Sequence, residues 1–193
     1  MTTIPVSTPA LTHRVRRILV HPRSEWGRIA GEALEPRSLW LGWVIPLAAI
    51  GPIATILGAL LFGFVPFAAL TGWGLRFAVR MAVVNYLGAL VVVALLAWLI
   101  PRIAPRFGGT VDQDGALKVA AFSGTAAWVA GIFRLVPPFA PLAILGVYSL
   151  YLLYVGLEVV AKVPKDRLLT CEVTLILAGA AVMFLISLVV PGI

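Results

Sequence analysis

The chain has 193 residues, 61% of them hydrophobic and 12% charged, with a net charge of +7 and a mean hydropathy of +1.04. Soluble chains carry about 25% charged residues, so the composition excludes an ordinary water-soluble globule and points to one membrane domain. The single cysteine, Cys171, excludes an intrachain disulfide and a thiolate metal cluster.

Residues 1–9 read as a disordered tail, and 10–37 as a cytoplasmic amphipathic segment. In the segment Leu11, Val15, Ile18 and Leu19 fall at helical spacing, with Arg14, Arg16 and Arg17 on the remaining surface. Pro22 interrupts. A second helix follows, with Trp26, Ile29, Ala30, Ala33 and Leu34 on one side and Glu25, Arg28 and Glu32 on the other, and Pro36 is expected to end it. Both helices are expected to lie in the plane of an anionic leaflet, with Arg14, Arg16, Arg17, Arg23 and Arg28 on the headgroups and Trp26 among them. The alternative is that they pack on the ends of the spans. No signal peptide is expected, because 37 residues precede the first long apolar stretch.

Residues 38–193 read as a five-span membrane domain. Uncharged gaps of 38, 21, 15, 23 and 21 residues follow Arg37, Arg80, Lys118, Arg134 and Glu172. A helix crosses a bilayer core with about 20 apolar residues. The spans are expected at about 39–62, 80–100, 117–136, 139–160 and 171–190. Pro46 and Pro52 should bend the first, because each removes a backbone donor. The region 64–76 is expected to be an external loop, interfacial or re-entrant around Trp73. The second span should stop at Pro101, with Val93 facing lipid. Asp112 or Asp114 should cap the third. Arg134 should snorkel to the outer interface.

The basic residues are distributed unevenly. Twelve lie before the first span or in the second-to-third and fourth-to-fifth connections, and only Arg76, Arg80 and Arg134 lie in the others. This is the positive-inside pattern, with a cytoplasmic N-terminus and an outside C-terminus. It also argues against a nucleic-acid partner, for which the basic residues would share one patch.

Few residues could carry chemistry. Asn85 is the one amide near mid-membrane, and it is expected to bond another helix through Ser123 or Thr125. Tyr148, Tyr151 and Tyr154 share a face of the fourth span. Glu158 and Lys162 should pair at i,i+4. Ala54 and Gly58, Ala120 and Gly124, and Ala127 and Gly131 are small pairs four apart, suited to close helix packing within the chain or in a homo-oligomer. Asp112-Gln-Asp-Gly resembles the start of a calcium loop without its later ligands. No catalytic, metal or cofactor site is expected.

Three stretches carry a family resemblance. His-Pro-Arg-Ser-Glu-Trp-Gly-Arg-Ile-Ala-Gly-Glu at 21–32 resembles the N-terminal signature of bacterial members of the Ypt-interacting-protein (Yip) domain family. Gly115-Ala-Leu-Lys-Val-Ala-Ala-Phe-Ser-Gly-Thr resembles the start of that family's third helix. Leu145-Gly-Val-Tyr-Ser-Leu-Tyr-Leu-Leu-Tyr-Val-Gly-Leu resembles its fourth. The similarity runs in order over about residues 15–190. It implies an all-α, five-helix membrane domain with a cytosolic N-terminus. Eukaryotic relatives associate with Rab-type GTPases, act in vesicle traffic and carry an acidic-Leu-Tyr-Gly-Pro motif near the first span. Only Ile50-Gly51-Pro52 echoes that motif here, and Gly146-Val-Tyr148-Ser149 echoes the family's Gly-Tyr motif, so Rab binding is not carried over. The expected function is non-enzymatic: interaction with anionic lipid or an unidentified protein partner, in organisation or traffic of the plasma membrane. A small permease or channel, with Asn85, Ser123 and Thr125 near the midplane, is the rival.

Overall fold

The computed structural model describes residues 8–62 and 74–189. These residues are helical, with no strand among them. Five helical stretches are long and apolar enough to cross a membrane: Pro36–Phe62, Leu75–Phe107, Gln113–Leu135, Pro138–Val159 and Lys165–Ile186. They are called the first to fifth spans below. The chain is thus built as a multi-pass membrane protein. Most of the external loop expected at 64–76 lies outside the described residues, and residues 74–76 belong to the second span's helix.

Two helices precede the spans, α1 (Thr8–Val20) and α2 (Pro22–Gly31). Pro22 divides them and opens α2, a position where its missing N–H is not needed. Pro36, expected to end a helix, begins one for the same reason. Ile18, Trp26 and Ile29 are fully buried in the core shared with the spans. A crevice lined by Leu11, Val15, Leu19, Leu47, Ile50 and Val129 runs between α1 and the first and third spans. The tandem is therefore docked on the bundle, and the alternative packing describes it.

The spans are interrupted where the backbone loses donors or a close contact bends it. The first has a π-helical turn at Trp40–Val44 ahead of Pro46, and a turn at Ala49 ahead of Pro52. The second runs through Pro101 to Ile103, then a 3-10 turn at Ala104–Phe107 closes on Gly108 at φ 84°. The expected stop at Pro101 is thus corrected by one turn. Within the third span, α-helix Gln113–Ser123 breaks at Gly124, resumes over Thr125–Ala130 and tightens to 3-10 over Gly131–Leu135. Its N-cap is Asp112, whose carboxylate accepts from the Gly115 N–H at 2.8 Å. The fourth span is 3-10 over Pro137–Val147 and α-helical over Tyr148–Val159. An eleven-residue 3-10 run is long for that conformation, which rises about 2 Å per residue.

Glycine sets the tightest crossings. A Cβ on Gly131 would lie 2.7 Å from Gly51 Cα, and one on Gly58 would lie 2.7 Å from the Leu135 carbonyl oxygen. The first and third spans meet there backbone to backbone. Gly124 has another role, since its Cβ would meet the Trp128 ring of its own span at 2.7 Å. Ala120 is buried in the core. Val93 is also buried, not lipid-facing. An evenly apolar span gives no periodic signal for which face meets protein.

Candidate functional site

The basic end of the bundle centres on Phe122 of the third span. The Arg14 guanidinium lies 4.8 Å above its ring, a cation–π position. Trp26 of α2 meets it edge-on with centroids 6.1 Å apart, and Trp43 of the first span packs at 4.6 Å. Trp43 Nε1 donates to Thr125 Oγ1 at 3.2 Å, and that hydroxyl donates to the Phe122 carbonyl at 2.7 Å. Thr125 is fully buried, so this chain satisfies an indole N–H that would otherwise be stranded.

A charge cluster covers the aromatic centre. The Glu25 carboxylate, 2% exposed, faces Arg14 Nε at 3.3 Å, Arg17 Nε at 3.1 Å and Arg28 at 3.6 Å. Arg14 also bonds Glu32, and Lys118 Nζ donates to the Glu32 carbonyl at 2.6 Å. A buried carboxylate is tolerated only with such partners. The cluster joins α1, α2 and the third span.

The arginines of the segment therefore divide. Arg14 and Arg17 are turned inward on Glu25, while Arg16, Arg23 and Arg28 are exposed. Trp26, expected among headgroups, is enclosed by Phe122, Val119 and Gly156. An indole on the helix face that meets the bundle is worth more to packing than to the interface. Glu158 pairs with Lys165 at 3.3 Å and Arg23 at 3.8 Å, not with Lys162. Lys162 has left the helix: its φ is 51°, and the Val163 N–H returns to Leu157 O at 3.1 Å, closing the helix end.

The remaining polar candidates turn to nearby backbone. Asn85 is exposed and donates to Met81 O in its own helix at 2.7 Å, so it makes no bond to Ser123 or Thr125. Ser123 donates to Ala120 O at 3.2 Å. The Tyr148 hydroxyl donates to Leu19 O at 3.2 Å, tying α1 to the fourth span, and its ring stacks on Tyr151 at 5.4 Å. Asn85 and Ser123 border a groove of about 610 Å³ between the spans, walled mainly by small and apolar residues such as Gly88, Val92 and Leu153.

A family model for the Yip1 domain matches residues 16–188. The chain belongs to the Yip1 domain family. No curated protein and no solved structure matches it. In this Yip1-domain chain the 21–32 signature gives the α2 docking face: Glu25, Trp26 and Ile29 are its buried residues and Glu32 its outer anchor. The stretch at 115–125 supplies Lys118, Phe122 and Thr125 opposite it. Glu25 and Phe122 stood in the stretches read from the sequence without a role there, and Trp43 was not among the candidates. Glu25 and Phe122 lie at positions that carry the resemblance, whereas Trp43 lies outside them and had no such signal.

Proposed function

We propose that this Yip1-domain protein is a non-enzymatic organiser of the plasma membrane, its basic end in the cytoplasm and its C-terminus outside. It would work by presenting a fixed basic rim to an anionic partner, a protein or a lipid surface. The observation that carries this reading is the docked α1–α2 tandem. The buried Glu25 and Trp26 hold it to the bundle, which leaves Arg16, Arg23 and Arg28 exposed on a pre-ordered scaffold, Arg23 beside Glu158 and Arg28 beside Glu25. Pre-ordering removes an entropy cost that a free tail would meet on binding. Arg37, Arg106 and Lys162 are exposed at the same end. Each basic residue near an anionic leaflet contributes about 1 kcal/mol, screened by salt.

The test is purification of the full chain in native lipid, with mass spectrometry of bound proteins and lipids. A protein partner or an anionic lipid should be enriched and should be lost when Arg16, Arg23 and Arg28 are replaced by Gln. Equal recovery with the triple variant would remove the rim from the mechanism. Solute flux through reconstituted vesicles, with no enrichment, would favour the permease. Orientation is checked separately: a reporter after Ile193 should be active outside and one at Gly109 inside, from the twelve-to-three basic partition.

A further inference from the structure

All eight acidic side chains of the chain belong to the basic end, at positions 25 to 35, 112 to 114 and 158 to 172. The opposite end holds Arg76, Arg80 and Arg134 and no aspartate or glutamate. Arg134 does not reach outward from there. Its carbonyl lies beside Gly58, 2.9 Å from where a Cβ would stand, yet its Nη1 lies 3.7 Å from the corresponding point on Gly51. Those two glycines are seven residues apart on one helical stretch, roughly 10 Å along the axis. The expected snorkel is reversed: the guanidinium folds back toward mid-bundle and borders the groove.

The amide and hydroxyl groups of the groove are engaged with backbone. Asn85 and Ser123 donate to carbonyls of their own spans, and Ser149 Oγ accepts from the Ala127 N–H at 2.9 Å. Arg134 has no ion pair or hydrogen bond among the described residues, and it is exposed. A guanidinium in a low-dielectric groove is costly unless an anion meets it. The remaining walls are apolar, and the volume of about 610 Å³ is in the range of small-molecule sites.

The geometry points to a lipid site: one anionic membrane lipid, its acyl chain in the groove between the spans and its phosphate on Arg134. Charge decides the headgroup, since no aspartate or glutamate at that end competes for the arginine. Shape and polarity decide the tail, since the groove offers methyl and methylene contacts along all five spans. This site is at the end away from the rim and stands or falls without it.

The experiment uses the full chain in vesicles with photoactivatable phosphatidylglycerol or phosphatidylcholine of identical acyl chains. Crosslinked residues are mapped by mass spectrometry. Phosphatidylglycerol should label groove residues such as Gly88, Val92 and Met183 about tenfold more than phosphatidylcholine, a ratio equal to ~1.4 kcal/mol. Arg134→Gln should erase the headgroup preference and Arg134→Lys should keep most of it. Gly88→Phe, at a site where a Cβ meets nothing within 4 Å, should reduce labelling by both lipids. Millimolar inorganic phosphate should not compete, because the tail supplies much of the binding. Equal labelling by the two lipids, or a preference unchanged in Arg134→Gln, would overturn the site. Competition by free phosphate would reduce it to an anion site without a tail. Should Arg134→Gln not fold, the two-lipid comparison on the wild type and Gly88→Phe still decide.

Discussion

Replacing Gly156 by Ala should loosen the N-terminal tandem, although the change is favourable to a helix in general. A Cβ there would stand 2.9 Å from Trp26 Cη2 and Cζ2 and 3.2 Å from Val119 Cγ1. The indole cannot yield as a flexible side chain would. It is fully buried, and Phe122 holds its other edge. Overpacking of this kind costs about 1–3 kcal/mol. Against it, Ala in a helix interior gains about 0.5–1 kcal/mol over Gly. The net is roughly 0–2.5 kcal/mol of undocking, and about 1.4 kcal/mol changes an open fraction tenfold. Gly27→Ala in α2 is the control, since its Cβ meets nothing within 4 Å and only the helix gain remains.

The assay is amide exchange, or trypsin cleavage at Arg23 and Arg28, in the full chain in nanodiscs. Gly156→Ala should speed exchange across residues 14–32, and Gly27→Ala should slow it or leave it unchanged. Trp26→Phe alone should also loosen the tandem by leaving a void. The double variant Gly156→Ala with Trp26→Phe should be better than the sum of its parts, with coupling of about 0.5–3 kcal/mol. The reasoning fails if Gly156→Ala behaves as Gly27→Ala does and the double variant is additive. Trp26 would then not sit on Gly156, and an interfacial placement would return.

Three further outcomes are expected. Gly58→Ala and Gly131→Ala should each lower the folded yield and thermal midpoint, because the new methyl meets backbone at 2.7 Å, whereas Gly88→Ala and Gly179→Ala, with nothing within 4 Å, should be tolerated; equal tolerance at all four would refute the crossing. Thr125→Val should cost about 1 kcal/mol by removing the acceptor of Trp43 Nε1, read as a lowered midpoint in detergent melts that Thr125→Ser largely restores. Glu25→Ala should lower the midpoint more than Glu32→Ala, up to about 3 kcal/mol, since three arginines face Glu25; the figure is an upper bound because Arg17 and Arg28 are partly solvated.

The spans were legible because their signal is simple: an uncharged apolar run of bilayer length is read without knowing any contact. Asp112 announced the start of the third, whereas Pro101 did not mark the end of the second. The interiors were not legible. Val93 and Asn85 show why. In a stretch where nearly every residue is apolar, no periodic contrast tells a core face from a lipid face. An amide with Met81 O one turn away needs no partner on another helix. Local backbone bonds are always available to short polar side chains, so a lone polar residue in a span carries little information about its neighbours.

The N-terminal segment misled for a different reason. Amphipathicity states only that one face is apolar; it does not say whether lipid or protein covers that face. Here Glu25 could have decided. A membrane surface rich in anionic headgroups has no use for a glutamate at the boundary between the apolar face and the basic one. A protein interface does, if arginines from a neighbouring helix can reach it. Arg14 and Arg17 precede Glu25 by 11 and 8 residues, across the break at Pro22, so they can fold back on it only if α1 and α2 close as a hairpin. The acid, more than the bases, was the sign that this segment docks. The same rule in reverse motivates the lipid proposed for Arg134, which has no aspartate or glutamate at its end of the chain and no ion pair among the described residues.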